Sequence, residues 1–151
     1  MDTGSEEDLG DVDIVVRGLW VEVVLYKIPL LVLTNEAYFR VVDTGWTHDG
    51  QEQKAYAKGM RLLEAGCVVS EYRTRRRRDF YTHRLLVRGL LRARAVAAEL
   101  GYLGKILGTS SVHLARLFSF TPNSIVGYKW FIEVAAITGD YRATTSKAFT
   151  C

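Results

Sequence analysis

The chain has 151 residues, 48% hydrophobic and 25% charged, with a formal net charge of +3. That length and composition predict one globular domain with a core of its own and exclude a disordered or fibrous polymer. Two cysteines, Cys67 and Cys151, with no CxxC pair exclude a disulfide scaffold and point to a reducing compartment.

The charge is unevenly placed. Residues 1 to 13 carry six acids and no base, leaving 20 bases against 11 acids in the rest. Residues 1–10 read as an acidic disordered tail, because so polar a segment cannot bury enough apolar surface to fold. An acidic start lacks the basic region of a signal peptide, and no apolar run is long enough to cross a membrane. From Val12 to Tyr26 the chain is rich in Val, Ile, Leu and Trp. Leu19, Val21, Val23 and Leu25 alternate with Trp20, Glu22, Val24 and Tyr26, which predicts a strand. Pro29 should interrupt the ladder. The runs "LLVLT" and "AYFRVV" then predict two short strands around a turn at Asn35-Glu36.

A loop, "TGWTHDGQ", leads to a helix over about 50–65, with Thr47 or Asp49 near its cap and Gly66 as its stop. Residues 67–73 predict another strand. Next comes "SEYRTRRRRDF", with five arginines in six positions, and Asp79 is placed to cap a following helix. That helix should run from Phe80 to about Leu107, or break near Gly101. Leu86, Leu90, Ala93, Ala97, Leu100 and Leu107 share one face, and Arg84, Arg88 and Arg92 the opposite one. Its glycines weaken it or allow close packing. Residues 112–120 and 125–138 read as a hairpin around Thr121-Pro122-Asn123-Ser124. Residues 141–151 read as a polar C-terminal tail. The sum is an α+β fold, with residues 11–140 forming a single domain in which a mostly antiparallel sheet packs against two or three helices.

Motifs for chemistry are missing. "LGYLGKILG" fails as a phosphate-binding loop, since Glu99 stands where the first glycine belongs and Ile106 follows Lys105. His48, His83 and His113 are too far apart to make a local metal-ligand pair. There is no G-x-S-x-G elbow, and the apolar neighbours of Cys67 suit a core residue better than a nucleophile. The sequence therefore predicts no catalytic residue, no metal and no cofactor.

The basic cluster remains. Between Glu71 and Arg94 stand nine arginines and two acids. Arginine rather than lysine supplies a planar fork suited to phosphate. Arg73, Arg75, Arg76, Arg77, Arg78, Arg84, Arg88 and Arg92 are accordingly the candidate polyanion-binding residues. Tyr72 and Tyr81 flank the run as candidates for base stacking. Trp20, Tyr128 and Trp130 lie on segments that are apolar on both sides, and are candidates for a subunit interface.

One segment, "NSIVGYKWFIEVAAITGDY" at 123–141, resembles the Tyr-Lys-rich strand of rhabdovirus matrix proteins. The order of elements is loosely similar. The acidic N-terminal arm departs from that family, and no PPxY motif is present. The resemblance implies a non-enzymatic viral structural protein that self-associates and bridges a nucleocapsid to a membrane. With the arginine cluster, it yields the expectation of a viral-matrix-like assembly protein, homo-oligomeric, cytoplasmic or virion-borne. Its partners would be nucleic acid, as RNA or ribonucleoprotein, and an anionic membrane surface. The alternatives are an RNA-binding regulatory or accessory protein, and a small enzyme whose site is assembled only in three dimensions.

Overall fold

A computed structural model of the chain describes residues 11–123 and 128–150. These residues group into two compact units, one of residues 11–48 with 73–83, the other of residues 49–72 with those from 84 onward.

The first unit is helical where strands were expected. α1 (Trp20–Val23) passes through a 3₁₀ turn, Val24–Tyr26, into α2 (Lys27–Val41). The run is apolar at nearly every position, so it carries no clean period of two, and such runs suit helix and strand alike. Pro29 is the third residue of α2, in the first turn, where its missing N–H removes no intrahelical bond. Asn35-Glu36, expected as a turn, lies inside the same helix. There the Thr34 hydroxyl donates to the Leu30 carbonyl at 2.8 Å and the Asn35 amide to that of Leu31 at 2.7 Å. Val32 is the buried residue of α2; Leu33 and Val41 are exposed.

The second unit starts with α3 (Gln51–Glu64) and β1 (Val68–Glu71). It continues with the body of α4 (Phe80–Glu99), then β2 (Lys105–Thr109), α5 (Val112–Leu117), α6 (Tyr128–Thr138) and α7 (Thr144–Ala148). β1 and β2 pair in parallel, Val68 opposite Lys105, Val69 opposite Ile106 and Glu71 opposite Thr109, with an irregularity between Val69 and Glu71. A parallel pair needs a long crossover, and α4 supplies it. The expected mostly antiparallel sheet is therefore corrected to a helix-dominated fold whose sheet, among the described residues, is this parallel pair.

The expected hairpin at 112–138 is corrected as well. Ser111 caps α5, its hydroxyl accepting the Leu114 N–H at 3.4 Å, and 128–138 is helix α6. Aromatic and β-branched residues there suggested strand, but packing overrides such propensity. Val134 and Ala135 of α6 are buried, and the Trp130 indole donates to the Ala148 carbonyl of α7 at 3.0 Å.

The α3 stop is met as expected, and α4 ends short of the expected Leu107, at the alternative break near Gly101. α3 ends at Glu64, and Gly66 follows with φ +73; the Cys67 N–H reaches the Leu62 carbonyl at 2.9 Å, a left-handed helix stop. α4 stops the same way at Gly101, with the Tyr102 N–H on the Ala97 carbonyl at 2.9 Å. The polypeptide then becomes β2, where the sequence pattern suggested more helix. Gly89 does allow close packing. A Cβ there would lie 2.8 Å from the Ala55 Cβ and 2.9 Å from the Tyr56 nitrogen. Gly59 answers from α3, its added Cβ meeting that of Ala93 at 2.8 Å. Leu63, Val87, Ala93, Ala97, Ile106 and Leu114 form the buried core of this unit.

Gly89→Ala should therefore cost about 1–3 kcal/mol by overpacking the α3–α4 contact. Gly45→Ala, whose Cβ meets nothing within 4 Å, should change stability by less than about 0.5 kcal/mol. Urea denaturation midpoints of the two variants check the contrast.

Candidate functional site

The arginine segment begins two residues after β1 and ends where α4 starts. Thr74–Arg76 form a 3₁₀ turn, closed by the Arg76 N–H on the Arg73 carbonyl at 2.9 Å. Arg77 is extended, with φ −73 and ψ 147. Asp79 then caps α4 as expected: one carboxylate oxygen accepts the Thr82 N–H at 2.6 Å and the other the Thr82 hydroxyl at 2.8 Å.

The segment is held against α2, and its arginines divide into two kinds. The Asn35 amide donates to the Arg75 carbonyl at 3.2 Å. The Arg77 Nε donates to Glu36 Oε1 at 2.6 Å, and its guanidinium stands 5.3 Å from the Phe80 ring centre. The Arg78 guanidinium donates to Asp43 Oδ2 at 2.9 Å and to the Asp43 carbonyl. It lies 4.6 Å from the Phe39 ring centre and 4.5 Å from that of Trp46. Cation–π contacts contribute about 0.5–2 kcal/mol each, most where water is excluded. Both side chains are largely covered, at 18% and 14% exposed, so Arg77 and Arg78 anchor the segment. Arg73, Arg75 and Arg76 are exposed.

His48 joins the cap from the loop after α2. Its Nε2 lies 3.3 Å from Asp79 Oδ2, and its ring packs edge-on against Trp46 and Tyr81. Burial alone would raise the Asp79 pKa. The Thr82 N–H, the Thr82 hydroxyl and His48 outweigh it, and the carboxyl sits below its ordinary value.

The remaining candidates are placed as follows. In the second unit, Arg88 and Arg92 reach Glu52 of α3 at 3.3 and 3.0 Å, and Arg92 lies over the Tyr56 ring at 5.2 Å. They bind one helix to another while keeping half their surface in water. Arg84 is half-buried. Tyr72 is exposed; Tyr81 is half in solvent and packs on His48. Trp20 is exposed on α1 and Trp130 partly so on α6. Tyr128 opens α6, with its side chain outside the described residues. His83 is buried in α4. Among the described residues no group of three or more His, Cys, Asp or Glu could hold a metal ion.

Sequence reasoning missed a second polar group, at the carboxyl ends of β1 and β2. Glu71 is buried and accepts the Thr109 hydroxyl at 2.5 Å. The Ser110 N–H donates to the Glu71 carbonyl at 2.8 Å, and the Ser111 N–H to Thr109 Oγ1 at 3.1 Å. The Asn123 amide donates to the Ser70 hydroxyl at 2.6 Å. In parallel α/β folds this end of the strands is where ligands are met. The available signal was "KILGTSS", an apolar run turning abruptly into small polar residues.

No protein-family profile matches the chain. It is similar to a protein of Schizosaccharomyces pombe named "Probable nicotinate phosphoribosyltransferase", at 39% identity over 137 residues, which are 91% of this chain and 33% of that protein. It is 35% identical over 138 residues to the nicotinate phosphoribosyltransferase of Saccharomyces cerevisiae, covering 91% of this chain and 32% of the other. The crystal structure of a S. cerevisiae nicotinate phosphoribosyltransferase superposes with a TM-score of 0.74, covering 89% of this chain and 32% of that one. The chain thus spans about a third of the length of the relatives it matches.

These findings correct the functional expectations. The relatives carry the name of a metabolic enzyme. They overturn the rhabdovirus-type matrix resemblance, the non-enzymatic structural role and the RNA-binding alternative. They equally remove the support for nucleic acid or a membrane surface as partner. The resemblance rested on a supposed strand that is α6 from Tyr128 onward. Of the arginines grouped as polyanion-binding candidates, Arg77, Arg78, Arg88 and Arg92 all meet acidic side chains. The virion placement goes with the matrix reading. Among the described residues no helix is long and apolar enough to cross a membrane.

Asp79→Ala should lower stability by about 0.5–2 kcal/mol at neutral pH, the usual cost of losing a helix cap. Because the folded-state pKa is depressed, the cap's contribution is full above the ordinary aspartate pKa and fades as pH falls through the lowered value. Denaturation at pH 7 and pH 3 should find the variant and the native chain closer together at the lower pH.

Proposed function

We propose that this chain forms the part of a nicotinate phosphoribosyltransferase that holds an anionic substrate, and that it serves transfer of a phosphoribosyl group to nicotinate in NAD biosynthesis. Similarity to the S. pombe and S. cerevisiae enzymes along nine-tenths of the chain carries the reading. The chemistry agrees with it. Transfer from a 5-phosphoribosyl diphosphate to the ring nitrogen of nicotinate makes one C–N bond at the ribose and breaks one C–O bond, releasing diphosphate. Both substrates are anions, and negative charge grows on the departing diphosphate. Fixed cationic donors stabilise such a change without having to reorganise.

Arg75 and Arg76 fit that role. Both are exposed, on a turn held to α2 from both sides, with the anchored Arg77 and Arg78 next in the chain. A guanidinium fork matches a phosphate or carboxylate edge in two parallel hydrogen bonds. Arg73 is the third exposed guanidinium of the segment. Tyr72, Tyr81, Arg84, Arg88 and Arg92 have no assigned role in this reading.

Titration calorimetry with 5-phosphoribosyl diphosphate tests the reading. Binding should be measurable and should weaken as salt is raised. Arg75→Gln with Arg76→Gln should lower affinity at least about tenfold, the loss of one or two charged hydrogen bonds. Absence of binding, or binding indifferent to both substitutions, overturns the proposal.

A further inference from the structure

We infer that Glu36 and Asn35, on one side of α2, are positioning residues for the anion-binding arginines. They act by fixing the backbone of the segment that presents Arg75 and Arg76. The inference rests on the function proposed above and assigns to α2 a part in it.

Four successive arginines at 75–78 repel one another, and an untethered segment would relieve this by spreading into solvent. Two tethers oppose that. The Asn35 amide holds the Arg75 carbonyl at 3.2 Å, inside the turn itself. The Glu36 carboxylate holds Arg77 Nε at 2.6 Å, immediately after the turn. Arg76 lies between the two held residues. Asp43 and the Phe39 and Trp46 rings fix Arg78 one residue further on. The backbone on either side of Arg76 is therefore set from α2, and the two exposed guanidinium groups leave a rigid base. Preorganised donors bind more tightly because less freedom is lost when the ligand arrives.

Positioning and simple charge make opposite predictions, which gives the test its force. Glu36 is an acid beside a cluster that binds anions. By Coulomb's law alone, its removal should tighten anion binding. If it positions the segment, its removal should weaken binding although the net charge rises.

The experiment titrates inorganic diphosphate into the full chain by calorimetry, for the native sequence, Glu36→Ala, Glu36→Gln, Asn35→Ala and the Arg75→Gln/Arg76→Gln pair. Circular dichroism melts show whether each is folded. Glu36→Ala should bind at least fivefold more weakly. Glu36→Gln, which keeps an acceptor for Arg77, should recover most of that loss, a rescue that general destabilisation would not show. Unchanged or tighter binding by folded Glu36→Ala overturns the inference. If Glu36→Ala melts below the assay temperature, Asn35→Ala, which removes one hydrogen bond from the turn, carries the test with the same criterion. The arginine pair separates the two levels. Loss of binding there, with Glu36→Ala unaffected, leaves the substrate site standing and removes the positioning role. Unchanged binding in the pair removes both.

Discussion

The structure around the arginine segment depends on offsetting like charge. Four guanidinium groups in consecutive residues are tolerable only if opposite charge or aromatic faces meet some of them. α2 and the loop after it supply Glu36, Asp43, Phe39 and Trp46, which take up Arg77 and Arg78. Pairs with this much cover are worth more than exposed ones, which contribute little on their own. Their larger consequence is geometric. A segment that would otherwise be a mobile charged loop becomes a turn with a defined path, with Arg73, Arg75 and Arg76 exposed.

The same logic of contact over composition governs the second unit. The α3–α4 crossing is close because Gly59 and Gly89 carry no side chain to hold the helices apart. Glu52 then spans the crossing to Arg88 and Arg92. Gly104 lies against the backbone of Leu63, where a Cβ would sit 2.5 Å from its Cα and oxygen. The close fit lets β2 come alongside β1, and the pairing places Glu71 and Thr109 together at the carboxyl ends of the strands. A buried carboxylate is costly unless it is hydrogen-bonded, and the Thr109 hydroxyl meets that need.

Parts of this were legible beforehand. The α3 helix and its stop at Gly66, the short strand before the arginines, the Asp79 cap and the amphipathic α4 helix are local features. Each depends on residues within a turn or two of itself, so spacing and residue type suffice to find it. The region 19–42 and the region 112–138 were misread for a common reason. Their apolar and β-branched residues are dense enough to satisfy either period, and only the partners available to each face separate helix from strand. Val134 and Ala135 are buried where Ile132 and Ile137 are not, a distinction that no alternation rule anticipates. The pairing inside the second polar group was not legible because Glu71 and Thr109 are 38 residues apart; only the turn to small polar residues in "KILGTSS" marked its place.

The amino-acid sequence alone determined the location of the concentrated positive charge and the helix boundaries on either side of it, because charge count and capping chemistry are properties of neighbouring residues. Tertiary structure decided what that charge touches. Glu36 and Asp43 stand 41 and 35 residues from the arginines they bind, and electrostatic interaction depends on distance in space rather than along the chain. Folding therefore made Arg77 and Arg78 into anchors and left Arg75 and Arg76 exposed, a division that four identical side chains in a row do not reveal.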